Sequence, residues 1–135
     1  MTKWLVAKTD NVAGGKIEHQ IKERPLLHVC CANDKFGSVN VDIRAEVNPD
    51  VVADVTKGLP FADDTFAAAF ADFPWITAWR WDAARAIKEM LRVAPIVYTI
   101  SPWLYGARTC YPAEIQVSWR PGINVPILFV KYRRR

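Results

Sequence analysis

Short apolar runs that end at or near an aspartate succeed one another through the first half of this 135-residue chain. The runs cover residues 26–31, 38–43, 51–55 and 65–72. Apolar runs of this length, bounded by turn residues, are typical of strands buried on both faces of a parallel sheet. Asp42, Asp54 and Asp72 stand at or near the ends of the last three runs. Ligands bind beyond the carboxyl ends of such strands, so three carboxylates there predict a ligand with several hydroxyl and amine donors. Taken singly, each aspartate is more typical of a turn cap.

One helix is clearly marked after these strands. Its apolar side chains repeat at the 3.6-residue period of an α-helix, namely Ile76, Trp79, Ala83, Ile87, Met90 and Leu91. Thr77 is the predicted N-cap. A fifth strand is expected over residues 96–100, and residues 114–119 and 127–132 form a final pair around the turn Arg120-Pro121-Gly122. The order predicts an α/β fold whose sheet is mostly parallel and ends in a C-terminal antiparallel strand pair.

The connections between the first three strands are unusually short. A parallel crossover commonly takes a dozen or more residues, including a helix. We therefore expect the helices on one face of the sheet to be absent or reduced to a turn. An uncovered apolar face predicts either a homodimer or cover from residues 1–24, which include Trp4, Leu5, Val6, Ile17 and Ile21.

Composition is that of one soluble globular domain over residues 1–135, with 51% hydrophobic and 24% charged residues. No apolar run approaches the roughly 20 residues that span a bilayer, and no signal peptide is visible, so a cytoplasmic protein without a membrane partner is expected. Three cysteines fit a reducing compartment. No metal is expected at His28, Cys30 and Cys31, because successive strand residues point to opposite faces and no fourth ligand has a suitable spacing.

The formal net charge is +4, and much of it lies in the basic tail, residues 131–135. Such a tail is typical of a protein that binds nucleic acid, and a solvated terminus has the same composition. Charge alone leaves the two interpretations open.

Residues 26–75 resemble the cofactor-binding half of class I S-adenosylmethionine (SAM) dependent methyltransferases. The most distinctive stretch is Gly58-Leu59-Pro60-Phe61-Ala62-Asp63-Asp64-Thr65-Phe66. It is similar to the family's run Leu-Pro-Phe-x-Asp-x-Ser/Thr-Phe-Asp, with Ala67 in place of the final aspartate. The resemblance implies a Rossmann-like methyltransferase sheet and SAM as cofactor.

The resemblance also assigns the cofactor-binding residues. Asp42 would hold the ribose hydroxyls, and Asp54 would contact the adenine amine. The full set it implies is Cys30, Cys31, Ala32, Gly37, Asp42, Ile43, Asp54 and Val55. The family's glycine-rich loop corresponds to residues 31–37, where only Gly37 remains, so Asn33 or Asp34 is expected to take a positive φ.

Asp72-Phe73-Pro74-Trp75 is similar to the Asp/Asn-Pro-Pro-Tyr/Trp motif of methyltransferases that modify exocyclic amines. By this resemblance Asp72 accepts one N–H of the amine, the Phe73 carbonyl accepts the other, and Trp75 stacks on the flat target. The structural alternative is a turn that leads into the helix and buries Trp75. Trp79, Trp81 and Trp103 are further candidate stacking platforms, or core and interface residues.

The leading hypothesis is therefore a SAM-dependent methyltransferase that modifies an exocyclic amine of a nucleic acid base, with an adenine-type target favoured. One alternative is a non-catalytic binding protein of the same fold with a degenerate cofactor loop. Another is an amine methyltransferase that acts on a small molecule or a protein.

Overall fold

A computed structural model describes residues 2–6, 16–106 and 108–135, apart from the side chains of Leu5, Val6 and Thr77. The strands are β1 Lys3–Val6, β2 Leu26–Val29, β3 Val39–Asp42, β4 Val51–Val52, β5 Ala68–Ala71, β6 Ile96–Ser101, β7 Cys110–Ser118 and β8 Ile127–Arg134. The α-helix of the described chain is α1, Arg80–Val93. Short 3-10 turns cover Ile17–Gln20, Ala45–Val47, Val55–Lys57 and Thr77–Trp79.

The described strands form one sheet in the order β1-β7-β8-β6-β5-β2-β3-β4. Strands β6, β5, β2, β3 and β4 are parallel neighbours, whereas β8 runs antiparallel between β6 and β7. This confirms the predicted mostly parallel α/β sheet with a C-terminal antiparallel pair. It also places the carboxyl ends of β2, β3, β4 and β5 along one edge, which we call the site edge.

Helix α1 covers one face of the sheet. Its buried side chains follow the expected helical spacing: Ala83, Ala86, Ile87, Met90, Leu91 and Val93. They pack on β2, β5 and β6 in the larger apolar cluster, and Pro95 follows the last helical turn and prevents its continuation. The helix starts at Arg80, later than the apolar stripe predicts, because Thr77–Trp79 form a 3-10 turn. The predicted Thr77 cap falls on a side chain outside the described residues.

The crossovers between β2, β3 and β4 contain no α-helix, as predicted from their length. Residues 43–50 include only the 3-10 turn Ala45–Val47. None of the described helices is long and apolar enough to cross a membrane.

The opposite face is covered in part by Ile17 and Ile21, in agreement with the second of the two predicted alternatives. Ile17 and Ile21 pack with Leu26 and Phe70 in a second cluster, and Phe36 lies against it. Beyond this cover, the face over β7 and β8 is polar, with Glu114, Gln116 and Lys131. Because this face is covered within the chain, it no longer argues for a homodimer, and the homodimer stays a prediction.

The N-terminal residues differ from the expectation. Lys3–Val6 form an edge strand parallel to β7, and Trp4 is 58% exposed, so Trp4 is not a cover for the sheet. A four-residue strand that depends on pairing with residues 114–117 has too weak a local pattern to be found from sequence.

Four predicted strands are longer than the observed ones, including the predicted strand 38–43, which is Val39–Asp42 in the structure. Strand β2 ends at Val29 because Cys30 takes a positive φ of 55°. Strand β4 stops at Val52, and Asp54 caps the 3-10 turn that follows. Strand β5 covers only Ala68–Ala71.

The basic C-terminus is structured, which corrects its description as a tail. Residues 131–134 belong to β8, and Arg133 lies opposite Ile96, the first residue of β6. Arg134 donates from Nε to the Leu91 carbonyl at 2.6 Å and pairs with Asp64. These cations therefore lie at the edge of the sheet opposite the site edge.

A glycine in the β2–β3 crossover allows the chain to pass close over β2. A Cβ atom on Gly37 would lie 2.8 Å from the His28 Cβ and 2.9 Å from the His28 nitrogen and the Val39 oxygen. These neighbours belong to two strands, so they have little freedom to retreat.

We expect Gly37→Ala to lower the free energy of unfolding by about 1–3 kcal/mol, the usual cost of overpacking a tight site. Gly106→Ala is the matched control, since an added Cβ there meets nothing within 4 Å. Urea unfolding followed by circular dichroism measures both. Equal stability of the two variants would contradict the close approach.

Candidate functional site

A cavity of about 640 Å³ opens at the site edge. It is lined by Cys30, Ala32, Asp42, Ile43, Arg44, Asp72, Phe73, Pro74, Trp75, Trp79, Arg120 and Ile123. Its volume is within the range of small-molecule sites in proteins. The strand ends of β2, β3 and β5 converge here, as the parallel order requires.

A smaller recess of about 60 Å³ lies beside the cavity. Asp54 and Val55 line it together with Val29 and Ala53, and it shares Cys30, Asp42, Ile43 and Trp79 with the cavity. The structure thus brings together ten of the twelve residues predicted for the site. The remaining two, Cys31 and Gly37, lie elsewhere: Cys31 is buried in the core, and Gly37 packs over His28.

Asp42 is the last residue of β3 and is only 5% exposed. Its Oδ2 accepts the N–H of Ala32 at 2.9 Å, and its Oδ1 accepts the N–H of Arg44 at 2.9 Å and the Arg44 Nε at 3.2 Å. Burial acts to raise the pKa of this carboxyl, but these donors outweigh burial and hold the pKa below its usual value. Asp42 is therefore ionised and joins the loop after β2 to the loop after β3.

The loop after β2 turns without a glycine. Cys30 and Ala32 take positive φ angles of 55° and 47°, so the expectation of such an angle at Asn33 or Asp34 was wrong. Left-handed backbone costs about 1–2 kcal/mol at a residue with a Cβ. The hydrogen bond from Ala32 to Asp42 offsets part of this cost and directs the loop along the cavity wall.

Asp54 accepts both the N–H and the hydroxyl of Thr56 on Oδ1, at 3.0 and 2.6 Å. The hydroxyl is the main cause of the lowered pKa of Asp54. The residue thus caps the 3-10 turn Val55–Lys57 and at the same time lines the recess.

Asp72 follows β5 directly. Its Oδ1 accepts the indole N–H of Trp75 at 2.9 Å, and that N–H also lies 3.2 Å from the Ile100 carbonyl. Burial raises the pKa of Asp72 to about 6, with Glu18 acting in the same direction and the Trp75 hydrogen bond opposing both. The carboxyl is therefore an acceptor whose charge changes close to neutral pH.

Contacts within the protein fix the side chains of Trp75 and Phe73. Trp75 packs against the second apolar cluster while its N–H orients Asp72. Phe73 is 1% exposed and stacks on Trp79 with ring centroids 5.5 Å apart and planes 19° apart. Trp75, which the sequence assigned to stacking on a target, is thus also a hydrogen-bond donor to the neighbouring carboxylate.

Cys30 lies at the centre of the acidic strand ends. Burial raises the pKa of its thiol to about 12, and the charges of Asp42, Asp72 and Asp54 act in the same direction. The thiol stays protonated at neutral pH, which argues against a cysteine nucleophile here. Burial, the larger cause, disfavours any charge at this position, whereas the negative charges of the carboxylates favour a cationic group there.

Sequence reasoning missed Arg44, Arg120 and Ile123. Arg120 and Ile123 belong to the β7–β8 loop, and Glu18 of the turn Ile17–Gln20 binds Arg120 at 2.8 Å with only 3% of its own side chain exposed. The recognised turn Arg120-Pro121-Gly122 was the available signal. Its position over the cavity depends on β8 pairing with β6, which the sequence does not specify. Within the parts of the chain that the structure describes, no cluster of His, Cys, Asp or Glu could hold a metal ion.

Comparisons with known proteins agree with this arrangement at the level of the fold. No family model and no curated protein matches the sequence. The PH0226 protein from Pyrococcus horikoshii OT3 superposes with a TM-score of 0.59 at 14% identity, covering 88% of this chain and 85% of that protein. A SAM dependent methyltransferase from Aquifex aeolicus superposes with a TM-score of 0.52 at 17% identity, covering 88% and 87%. The chain therefore has the class I fold found in SAM-dependent methyltransferases.

Proposed function

We propose that this protein transfers a methyl group from SAM to an exocyclic amine, with an adenine-type base of a nucleic acid as the target. The observation that carries the proposal is the meeting of Asp42 and Asp72 in one cavity, with Asp54 in the adjoining recess. The fold supports a methyltransferase, and the residues after β5 support the amine target.

The residues present fit the cofactor. The recess between Ile43, Asp54 and Val55 offers apolar walls and a carboxylate to the edge of an adenine, whose remainder would extend into the adjoining cavity, and Asp42 lines both spaces. When bound, SAM supplies a methyl group on a positively charged sulfur. The acidic strand ends that raise the pKa of Cys30 are electrostatically complementary to that charge.

On the target side, Asp72 supplies the chemistry. An aromatic amine is a weak nucleophile because its lone pair is delocalised into the ring. An ionised Asp72 that accepts one N–H, assisted by the Phe73 carbonyl, favours the geometry in which that lone pair is available. The amine loses its proton once it has been methylated, so no separate general base is needed.

A non-catalytic binding protein is the second candidate, and one observation favours it. Both oxygens of Asp42 already accept hydrogen bonds from Ala32 and Arg44. Ribose hydroxyls would have to share these oxygens or displace the Arg44 side chain. Cofactor binding and methyl transfer are therefore measured separately.

For the cofactor, we expect Asp42→Ala to weaken binding of S-adenosylhomocysteine by about 1–3 kcal/mol, the scale of a hydrogen bond to a charged group. Isothermal calorimetry measures this affinity. Asp82→Ala is the control, because Asp82 lies on α1 and pairs with Arg85 outside the cavity. Unchanged affinity in Asp42→Ala would remove the ribose role.

For the charge of Asp72, we expect the Trp75 indole N–H resonance to titrate with a midpoint near pH 6. Because the pKa of Asp72 is raised in the folded state, the protein loses stability as the pH rises through this midpoint and Asp72 ionises. The Asp72 carboxyl, which is to accept the amine N–H, is charged only above the midpoint. Nitrogen-15 NMR follows the resonance, which Trp75→Phe identifies and Asp72→Asn should make insensitive to pH. A midpoint below pH 4.5 would contradict the buried acceptor.

For the reaction, we expect Asp72→Ala to reduce methyl transfer at least about 100-fold while S-adenosylhomocysteine affinity changes little, because Asp72 hydrogen-bonds to the target amine and the sulfur of S-adenosylhomocysteine carries no charge. Transfer of a tritiated methyl group to unmethylated DNA, to RNA and to cell extract gives the rate and the target class. Near-normal turnover in the variant, or no transfer by the unaltered protein to any of the three, would contradict the proposal.

A further inference from the structure

The first turn of α1 carries an exposed aromatic side chain. Trp81 is 72% exposed, although large apolar side chains on a helix usually pack inward. The Arg80 guanidinium carbon lies 5.8 Å from the centroid of its ring. Trp79, two residues earlier, lines the cavity. The first turn of α1 therefore presents an open indole face with a cation beside it, and the segment that leads into this turn lines the candidate site.

A groove of about 460 Å³ lies farther along α1. It lies between the helix and residues 56–58, and its charged lining residues are Lys57, Arg85, Lys88, Glu89 and Arg92. Arg85 and Lys88 follow Trp81 by four and seven residues, so the three share one face of the helix over about 10 Å.

The charges of this groove do not all cancel. Arg85 pairs with Asp82 at 3.0 Å, and Arg92 pairs with Glu89 and Asp63 at 2.8 and 2.9 Å. Lys57 and Lys88 form no ion pair among the residues described. Together with Arg80, they leave an excess of positive charge along α1 and residues 56–58, part of which Asp54 balances through its interaction with Lys57.

We propose that this surface, the α1 track, binds a single-stranded nucleic acid, with Trp81 stacking on an unpaired base and Lys57, Arg85 and Lys88 following the phosphates. An aromatic platform on the same helix face as basic groove residues suits an unpaired strand, because every base offers a flat face and every linkage an anion. A duplex does not present such a face without unstacking a base. Only the link between the track and methylation rests on the proposed function.

Fluorescence anisotropy tests the track with three labelled probes: a 20-nucleotide oligothymidylate, the matching oligoadenylate and their duplex. We expect the single strands to bind more tightly than the duplex. Trp81→Ala should weaken single-strand binding about 5- to 100-fold, the usual effect of losing one stacked base. Lys88→Ala should lower the slope of log affinity against log salt by about 0.7, which corresponds to one phosphate contact on a single strand.

Matched controls are available on the same chain. Trp4 is also a solvent-exposed tryptophan but lies on the edge strand β1, and Arg133 is an exposed cation at the edge opposite the site. Trp4→Ala and Arg133→Ala should leave both the affinity and the salt slope unchanged. All four side chains are exposed, so the variants are expected to fold.

The proposal is overturned if the unaltered protein binds none of the probes at micromolar concentration, if the duplex binds as tightly as the single strands, or if Trp81→Ala and Trp4→Ala behave alike. Binding is measured without cofactor, so its outcome is separate from that of the proposed function. Strand binding without methyl transfer would count against the proposed enzyme only. Methyl transfer without strand binding would count against the track only.

Discussion

The carboxylate of Asp42 is the contact on which the site depends most. It joins the loop after β2 to the loop after β3 through the N–H groups of Ala32 and Arg44. Without this anchor, the left-handed backbone at Ala32 would lose the hydrogen bond that offsets part of its cost, and the loop would still be tied to β3 by the bond from the Cys31 N–H to the Val41 carbonyl. The same carboxylate separates the recess at Asp54 from the cavity at Asp72. One ionised side chain thus serves as a structural anchor and as a candidate ligand.

Parallel topology accounts for what could be predicted from the sequence. Asp42 and Asp72 stand at or just after the buried strands β3 and β5, and Asp54 follows the edge strand β4, where Val52 is exposed. Parallel order brings the ends of these strands to one edge. The absence of α-helices between β2, β3 and β4 followed from the small number of residues that connect these strands. The apolar stripe of α1 likewise predicted which of its faces is buried, and Ala83, Ile87 and Met90 are fully buried.

The remainder depends on long-range contacts that leave no local pattern. The orientation of Asp72 by Trp75, the placement of Arg120 by Glu18 and the pairing of β1 with β7 join residues through the tertiary fold. The sequence pattern placed Gly37 in a cofactor-binding loop, whereas in the structure Gly37 allows the chain to pass close to His28. The basic C-terminus was misread because composition does not distinguish an exposed tail from an interior strand with charged ends.

The central claim is that the cavity and its recess together hold SAM. A crystal structure with S-adenosylhomocysteine tests it most directly. The account predicts the ribose hydroxyls on Asp42, the adenine in the recess at Ile43, Asp54 and Val55, and the sulfur facing Asp72. A ligand bound outside the cavity, or an adenine that does not occupy the recess, would contradict it.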